Sequence, residues 1–283
     1  MNFIKSVFAL FLSLILPIFS SFPVVPHEDD FVLVWSDEFN GDSLDLAKWG
    51  GHCFDNGTAV RKGGFWNLDF AQVKEGNLYI RTEYFPEGYN GNNQPGWYTC
   101  GIDTSRSFEQ KYGYFEVRCI LPKGVGQWSA FWLMCDGVGT VGNEGTDGTE
   151  IDIFESAFYA ADSFKRNRVT CNLHYDGYSE EHKMKNVCEP YIFINNPYEE
   201  YNTYGLEWNE DEYIFYINGI ETGRSSFGGV SQMTEWPILS VEIGGENGVA
   251  GDSWVGASID TNTEPLTDFI VDYVRVYQYS DLM

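Results

Sequence analysis

From about residue 28 onward, apolar and polar positions alternate over short stretches, and Gly, Asn, Asp and Pro interrupt them at close intervals. The segments NLYIRTEYF (77–85), YGYFEVRCILP (112–122), SAFWLMC (129–135), EIDIFES (150–156) and RVTCNLHYDGY (168–178) follow this pattern. Further on, NTYGLEWNEDEYIFYINGIETGR (202–224), WPILSVEIGG (236–245) and DFIVDYVRVYQY (268–279) repeat it. A period of two marks strands that turn one face toward a core. Asn218–Gly219 stands between two β-rich arms, which predicts a hairpin closed by a tight turn. SLDLAKW (43–49) predicts one short turn of helix, and no stretch sustains a helical period. Many strands with no helices between them indicate an all-β chain of two stacked antiparallel sheets. Without a linker, repeat or low-complexity run, residues 28–283 read as a single domain whose terminal strands near 33 and 273 lie side by side.

The N-terminus breaks the alternation. MNFIKSVFALFLSLILPIFSS carries Lys5, an apolar run from Val7 to Phe19, and the small residues Ser20 and Ser21. The run is short for a membrane span and has the order of a secretory signal peptide, so residues 1–20 are expected to be removed, an uncleaved signal anchor being the alternative. A secreted, extracellular monomer with no membrane attachment after signal removal is the expectation. Six cysteines in an exported chain permit disulfides in 15 connectivities. Cys171 and Cys188 flank one polar insertion and form the expected bridge, with some of the others free, buried thiols. No CxxC pair occurs, which argues against a zinc site.

Charge removes two classes of partner. With 42 acidic against 17 basic residues the formal charge is −25, a surface that repels nucleic acids and anionic membranes. Aromatics make up 17% of the chain, with nine Trp; many belong to the core, and a β-rich protein with so many often exposes some in a cleft. Flat, uncharged ring faces suit the apolar faces of sugars, which brings carbohydrate forward as a partner.

The chemistry concentrates in GTEIDIFES (148–156), where Glu150, Asp152 and Glu155 crowd onto an otherwise apolar strand. Three acids on a strand ordinarily make a solvated face. Here the apolar neighbours argue for a sheet occupied on both sides, so a polar face is a groove. A carboxylate pair flanking a scissile bond is what glycoside hydrolysis needs, and a third carboxylate between them raises the pKa of the acid partner. Parity stands in the way: Glu150 and Asp152 share a face, while Glu155 points to the other. One extra residue, a bulge at Ile153–Phe154, turns Glu155 onto the shared face. Distance is the second obstacle. Residues four apart on a flat strand are about 13 Å apart, against about 5–5.5 Å for retaining carboxyls, so curvature and leaning side chains must close the gap.

GTEIDIFES resembles the E-x-D-x-x-E signature of glycoside hydrolase family 16, in its bulged, laminarinase-type branch. The similarity extends to WSDEFNGDSLDLAKW, to GQWSAFWLM, to YNTYGLEWNEDEYIFYINGIE and to DFIVDYVRVYQ. YTCGIDTSRSFEQKYGYFEVRCILP resembles the family's long hairpin. The resemblance implies a curved β-sandwich of the concanavalin-like jelly-roll type that cleaves β-glucan polysaccharide with retention and needs no catalytic cofactor. Carried over by position, Glu150 is the nucleophile, Glu155 the general acid/base and Asp152 the assisting carboxylate. Trp128 and Trp132 line the glycone side, His174 lies near the acids, and Asn67 contacts sugar hydroxyls. A structural calcium far from catalysis is implied at Glu38, Gly76 and Asp272, oxygen donors that suit a hard cation.

Two stretches depart from the family pattern. ILSVEIGG bears Ser240 and Glu242 where an Asn-bearing strand is usual, and GGENGVAGDSW (244–254) lacks the usual Trp-Pro-Gly ending. Both fall near glycone-side subsites, which makes Glu242 a candidate sugar contact and leaves the preferred linkage open. CDGVGTVGNEGTDGT (135–149) predicts a mobile loop shaping one end of the cleft. Two alternatives accompany the glucanase reading: a non-catalytic glucan-binding relative, and an enzyme acting on another polysaccharide such as a galactan, or by transglycosylation.

Overall fold

A computed structural model describes residues 25–51, 57–159, 167–188, 191–192 and 196–283. The apolar N-terminal segment and Cys53 lie outside them. Two antiparallel sheets stack face to face. The cleft-bearing sheet runs in the order Lys183–Asn186, Arg168–Tyr175, Glu150–Ala157, Gln127–Met134, Trp236–Ile243 and Gly101–Asp103. The outer sheet runs Ile220–Ser225, Tyr213–Ile217, Asn202–Trp208, Gly113–Ile120, Phe269–Tyr279, Asn77–Ile80 and Ala71–Lys74. Phe31–Asp37 adds to it along Phe269–Tyr279, with Leu33 opposite Tyr277, so the two ends of the domain pair as the alternation predicts.

The period-two reading translates directly into layers. Along Gln127–Met134, Phe131 and Leu133 enter the core while Trp128, Ala130, Trp132 and Met134 face the cleft. Along Arg168–Tyr175, Val169, Cys171 and Leu173 point inward and Thr170, Asn172 and His174 outward. The opposing face comes from Phe115, Val117, Leu206, Phe215, Val274 and Val276, all fully buried. Burying a side chain of this size contributes about 1.5–3 kcal/mol. The two sheets are therefore held by one continuous apolar layer, and the cleft face is left available for chemistry.

Local expectations hold where turn chemistry decides them. Asn218 and Gly219 take φ of 51° and 73°, the left-handed pair that a two-residue hairpin requires. Leu46–Trp49 forms the short helix, capped by Asp45, whose carboxylate accepts from the Ala47 amide at 2.9 Å. Cys171 and Cys188 form the expected disulfide, with Cα atoms 5.2 Å apart. Cys100, Cys119 and Cys135 are buried free thiols.

Two expectations fail. YTCGIDTSRSFEQKYGYFEVRCILP is not a hairpin, because Gly101–Asp103 pairs with Trp236–Ile243 in the cleft sheet while Gly113–Ile120 belongs to the outer sheet. The buried Thr104, whose hydroxyl donates to the Phe108 carbonyl at 2.7 Å, starts the crossing between layers. Residues 135–149 are more ordered than the composition suggests. They fold into two 3-10 turns, Asp136–Gly139 and Glu144–Asp147, with Val138 buried. The Gly145 amide donates to Gly228 at 2.7 Å and the Gly177 amide to Val138 at 2.7 Å, which ties the segment to the turn that follows Arg168–Tyr175.

Candidate active site

The acidic strand gains one residue in the middle. Against Gln127–Met134, Phe154 lies opposite Phe131 while Asp152 lies opposite Trp132, so two steps on one strand match one on the other. Against Arg168–Tyr175, the three steps from Asp152 to Glu155 match the two from Asn172 to Thr170. Both Ile153 and Phe154 enter the core, and the alternation restarts with Glu155 outward. The bulge sits at the expected place. It turns Glu150, Asp152 and Glu155 onto one face, where all three line a cleft of about 620 Å³.

Each acid is held differently. Glu155 accepts from the Asn172 amide nitrogen at 2.7 Å, and Asn186 donates to the other end of Asn172 at 3.0 Å, fixing its orientation. Burial raises the Glu155 carboxyl well above the usual range, and the charges of Asp152, Glu150 and Glu242 push the same way. Asp152 is 3% exposed and is raised by burial and by Glu150. His174 brings Nε2 to 3.3 Å from Asp152 Oδ2. Glu150, Asp152 and His174 approach within 4.8 Å of one another through one atom each, so their charges interact directly. The Tyr178 hydroxyl donates to Glu150 Oε2.

The two tryptophans expected at the cleft are there. Trp132 donates its indole N–H to Ser240 Oγ at 3.1 Å, so the serine that departs from the family pattern locks the ring orientation. Trp128 packs edge-on against Trp254, centroids 5.3 Å apart, and Trp254 also borders the cleft. Glu242 lies opposite Trp128 on the neighbouring strand and is 3% exposed. Its Oε1 accepts from Arg61 Nε at 2.9 Å and approaches Nη2 at 2.7 Å, while Oε2 is buried with no hydrogen-bond partner among the described residues. Burial pushes the Glu242 carboxyl up against the opposing pull of Arg61.

Asn67 is not in this cleft. Its amide nitrogen donates to Thr58 Oγ1 at 2.7 Å and its oxygen accepts from the Asp69 amide at 2.9 Å, so it is spent on capping a turn. It borders a separate hollow of about 380 Å³ with Asn90, Asn92 and Gln94. At the positions expected to hold calcium, both side-chain carboxylates are already paired with arginines, which leaves main-chain carbonyls as the donors there. Glu38 receives both Nε and Nη2 of Arg275, at 2.9 and 2.8 Å, and Asp272 receives Arg118 at 2.6 Å. Carboxylates matched this way are not free to replace the hydration shell of a hard dication. Gly76, with φ of 73°, serves a tight turn.

Sequence reasoning missed Asn172, Tyr178, His182, Asn186 and Arg61. Asn172 was accessible, since it stands two residues before His174 and shares its face. Tyr178 ends the alternating stretch 168–178 and the other three come from segments that give no period, and only the fold brings them to the acids.

Residues 31–279 match the sequence model of a family described as Beta-porphyranase A-D, GH16 domain. The keratan-sulfate endo-1,4-beta-galactosidase of Sphingobacterium multivorum is 27% identical over 254 residues, which cover 88% of this chain and 56% of the relative. The chain thus spans little more than half the length of that protein. A beta-glucanase from Rhodothermus marinus is 27% identical, with 90% of this chain and 86% of the relative covered. Among solved structures, the catalytic domain of an endo-1,3-beta-glucanase (laminarinase) from Thermotoga petrophila RKU-1 superposes with a TM-score of 0.66 at 25% identity, covering 89% of this chain and 99% of the other.

Proposed function

The chain belongs to glycoside hydrolase family 16, and from that premise we propose that it is an endo-acting, retaining hydrolase of β-1,3- or mixed β-1,3-1,4-glucan. Glu150 attacks the anomeric carbon, Glu155 protonates the departing glycosidic oxygen, and Asp152 stands between them. The bulge at Ile153 carries this reading, because without it the acid and the nucleophile occupy opposite faces of one strand. The charge environment supports the division of labour. Glu155 must begin protonated, and burial with three neighbouring carboxylates favours that state. Once Glu150 becomes a neutral glycosyl ester, one of those charges disappears and the Glu155 proton is held less tightly. The same residue then serves as base toward the incoming water.

A second reading, a β-galactan as substrate, is favoured by a specific observation. The matching family is described by porphyranases and one relative by an endo-β-galactosidase. The Ser240–Glu242 stretch, where this chain departs from laminarinases, lines the cleft through Trp132 and Arg61. Purified protein assayed for reducing ends on laminarin, lichenan, agarose, porphyran and keratan sulfate separates the two readings. Loss of activity in Glu150→Gln and Glu155→Gln with retained binding supports the roles; a protein that binds but cleaves no member is a recognition module instead. Export is part of the proposal. The apolar N-terminal run reads as a signal, and the Cys171–Cys188 bridge is suited to an oxidising compartment.

A further inference from the structure

The strands Arg168–Tyr175 and Lys183–Asn186 are joined by seven residues, Asp176 to His182, and two of their side chains return to the acids. Tyr178 is 62% exposed, yet its hydroxyl donates to Glu150 Oε2 and lies 3.9 Å from Met134 Sδ. An exposed ring whose tip meets a carboxylate in the cleft is a side chain reaching down from the rim. His182 places Nε2 at 2.9 Å from His174 Nδ1, and the two imidazoles are parallel to within 2°. With Nδ1 so engaged, His174 is held with Nε2 toward Asp152, 3.3 Å away. Tyr178 and His182 also pack on each other, with centroids 5.9 Å apart.

Resting on the hydrolase reading above, we propose that the Asp176–His182 turn positions the nucleophile side of the site. Tyr178 holds the second oxygen of Glu150, and His182 fixes the ring and tautomer of His174 beneath Asp152. A carboxylate that must attack with one oxygen profits from a donor on the other, which keeps it ionised and fixes its rotation. A histidine whose inner nitrogen faces a carboxylate keeps its N–H there, and an imidazole N–H donated to its outer nitrogen holds that tautomer. The charged groups around this array are Glu150 and Asp152 on the acidic strand, Arg61 across the cleft from Tyr178, and Lys183 beside His182.

The experiment uses the full chain with Tyr178→Phe and His182→Ala, checked for folding by thermal melting. On whichever polysaccharide the wild type cleaves, Tyr178→Phe is expected to lower kcat about tenfold with KM nearly unchanged, the scale of a lost hydrogen bond to a charged group. The acid limb of its pH–rate profile should also move to higher pH. A kcat within twofold of wild type, or a loss carried by KM alone, overturns the role of Tyr178. In the substrate-free protein, nitrogen-15 spectra of the histidine rings should show His174 in one tautomer and a mixture in His182→Ala. An unchanged His174 ring overturns the role of His182. This second arm needs no activity, so a wild type inert on every polysaccharide sinks the proposed function while the tautomer measurement still decides the array.

Discussion

Arg61 brings two nitrogens onto one oxygen of Glu242, at 2.9 and 2.7 Å, while its guanidinium lies 4.9 Å over the Trp66 ring. The carboxylate sits at the cleft wall and the arginine enters from the strand Thr58–Arg61, far away in sequence. Removing the arginine leaves a buried charge with less to balance it. Arg61→Ala is expected to cost about 1–3 kcal/mol, below the full value for a buried pair because the arginine is partly solvated. The loss should be smaller at pH 5 than at pH 8, because burial biases Glu242 toward its protonated form and protonation removes the unbalanced charge. Melting temperatures at the two pH values provide the check, and a loss independent of pH contradicts the argument.

Glu155→Gln removes the proposed proton donor while preserving shape and the contact with Asn172. Polysaccharide hydrolysis should fall by about 10²–10⁴-fold. Aryl glycosides with good leaving groups, which need little acid assistance, should be affected much less. Equal losses on both substrates would assign Glu155 some other role.

Two buried carboxyls outside the cleft make stability depend on pH. Burial pushes Glu116 up to about 7, despite hydroxyl donors from Tyr273 at 2.7 Å and Tyr114 at 3.0 Å. Glu235, against the Thr149 amide beside Glu150, is pushed by burial up to about 8. Both pKa values are higher folded than unfolded, so the native state holds more protons across the interval. Their contribution to stability is full below the unfolded value of about 4.5 and is lost as pH rises through 7 to 8. Denaturant midpoints should decline from pH 5 to pH 8, and Glu116→Gln with Glu235→Gln should flatten the decline. A slope unaffected by both substitutions refutes this account.

The Cys171–Cys188 bridge spans a separation of 17 residues that includes the turn carrying Tyr178 and His182. Replacing both cysteines with serine should cost about 3 kcal/mol by the chain-entropy relation. It should also lower kcat more than a distant substitution of equal cost, because the turn loses its tether. Urea titrations paired with kinetics on the same preparations make the comparison.

Much of this architecture can be read from residue order alone, for a definable reason. Strand existence, the Asn218–Gly219 hairpin, the short helix at Leu46–Trp49 and the bulge all follow from local periods or from parity. What escaped was non-local. Gly101–Asp103 and Gly113–Ile120 look like two arms of a hairpin until the partner strands compete for them, and each finds a better edge in a different sheet. Asn67 carries a side chain suited to sugar but finds Thr58 and the Asp69 amide first. Glu38 and Asp272 offer oxygen to a cation, and arginines already supply the positive charge. For the strands and the two carboxylates the deciding partner is distant in sequence and invisible to any window; for Asn67 it is local, within nine residues.

The supernumerary Ile153 gives the acidic strand something like a reading frame. Substitutions there alter a buried apolar side chain and leave the order of faces intact. Deleting the extra residue between Asp152 and Glu155 together with its bulge leaves plain alternation, which still keeps the three acids on one face, whereas flattening the bulge at unchanged length sends the acid into the core. Variation in this segment is therefore governed less by which residues are used than by whether their number and the bulge change together, a constraint that length-changing libraries would expose and point-mutation scans would overlook.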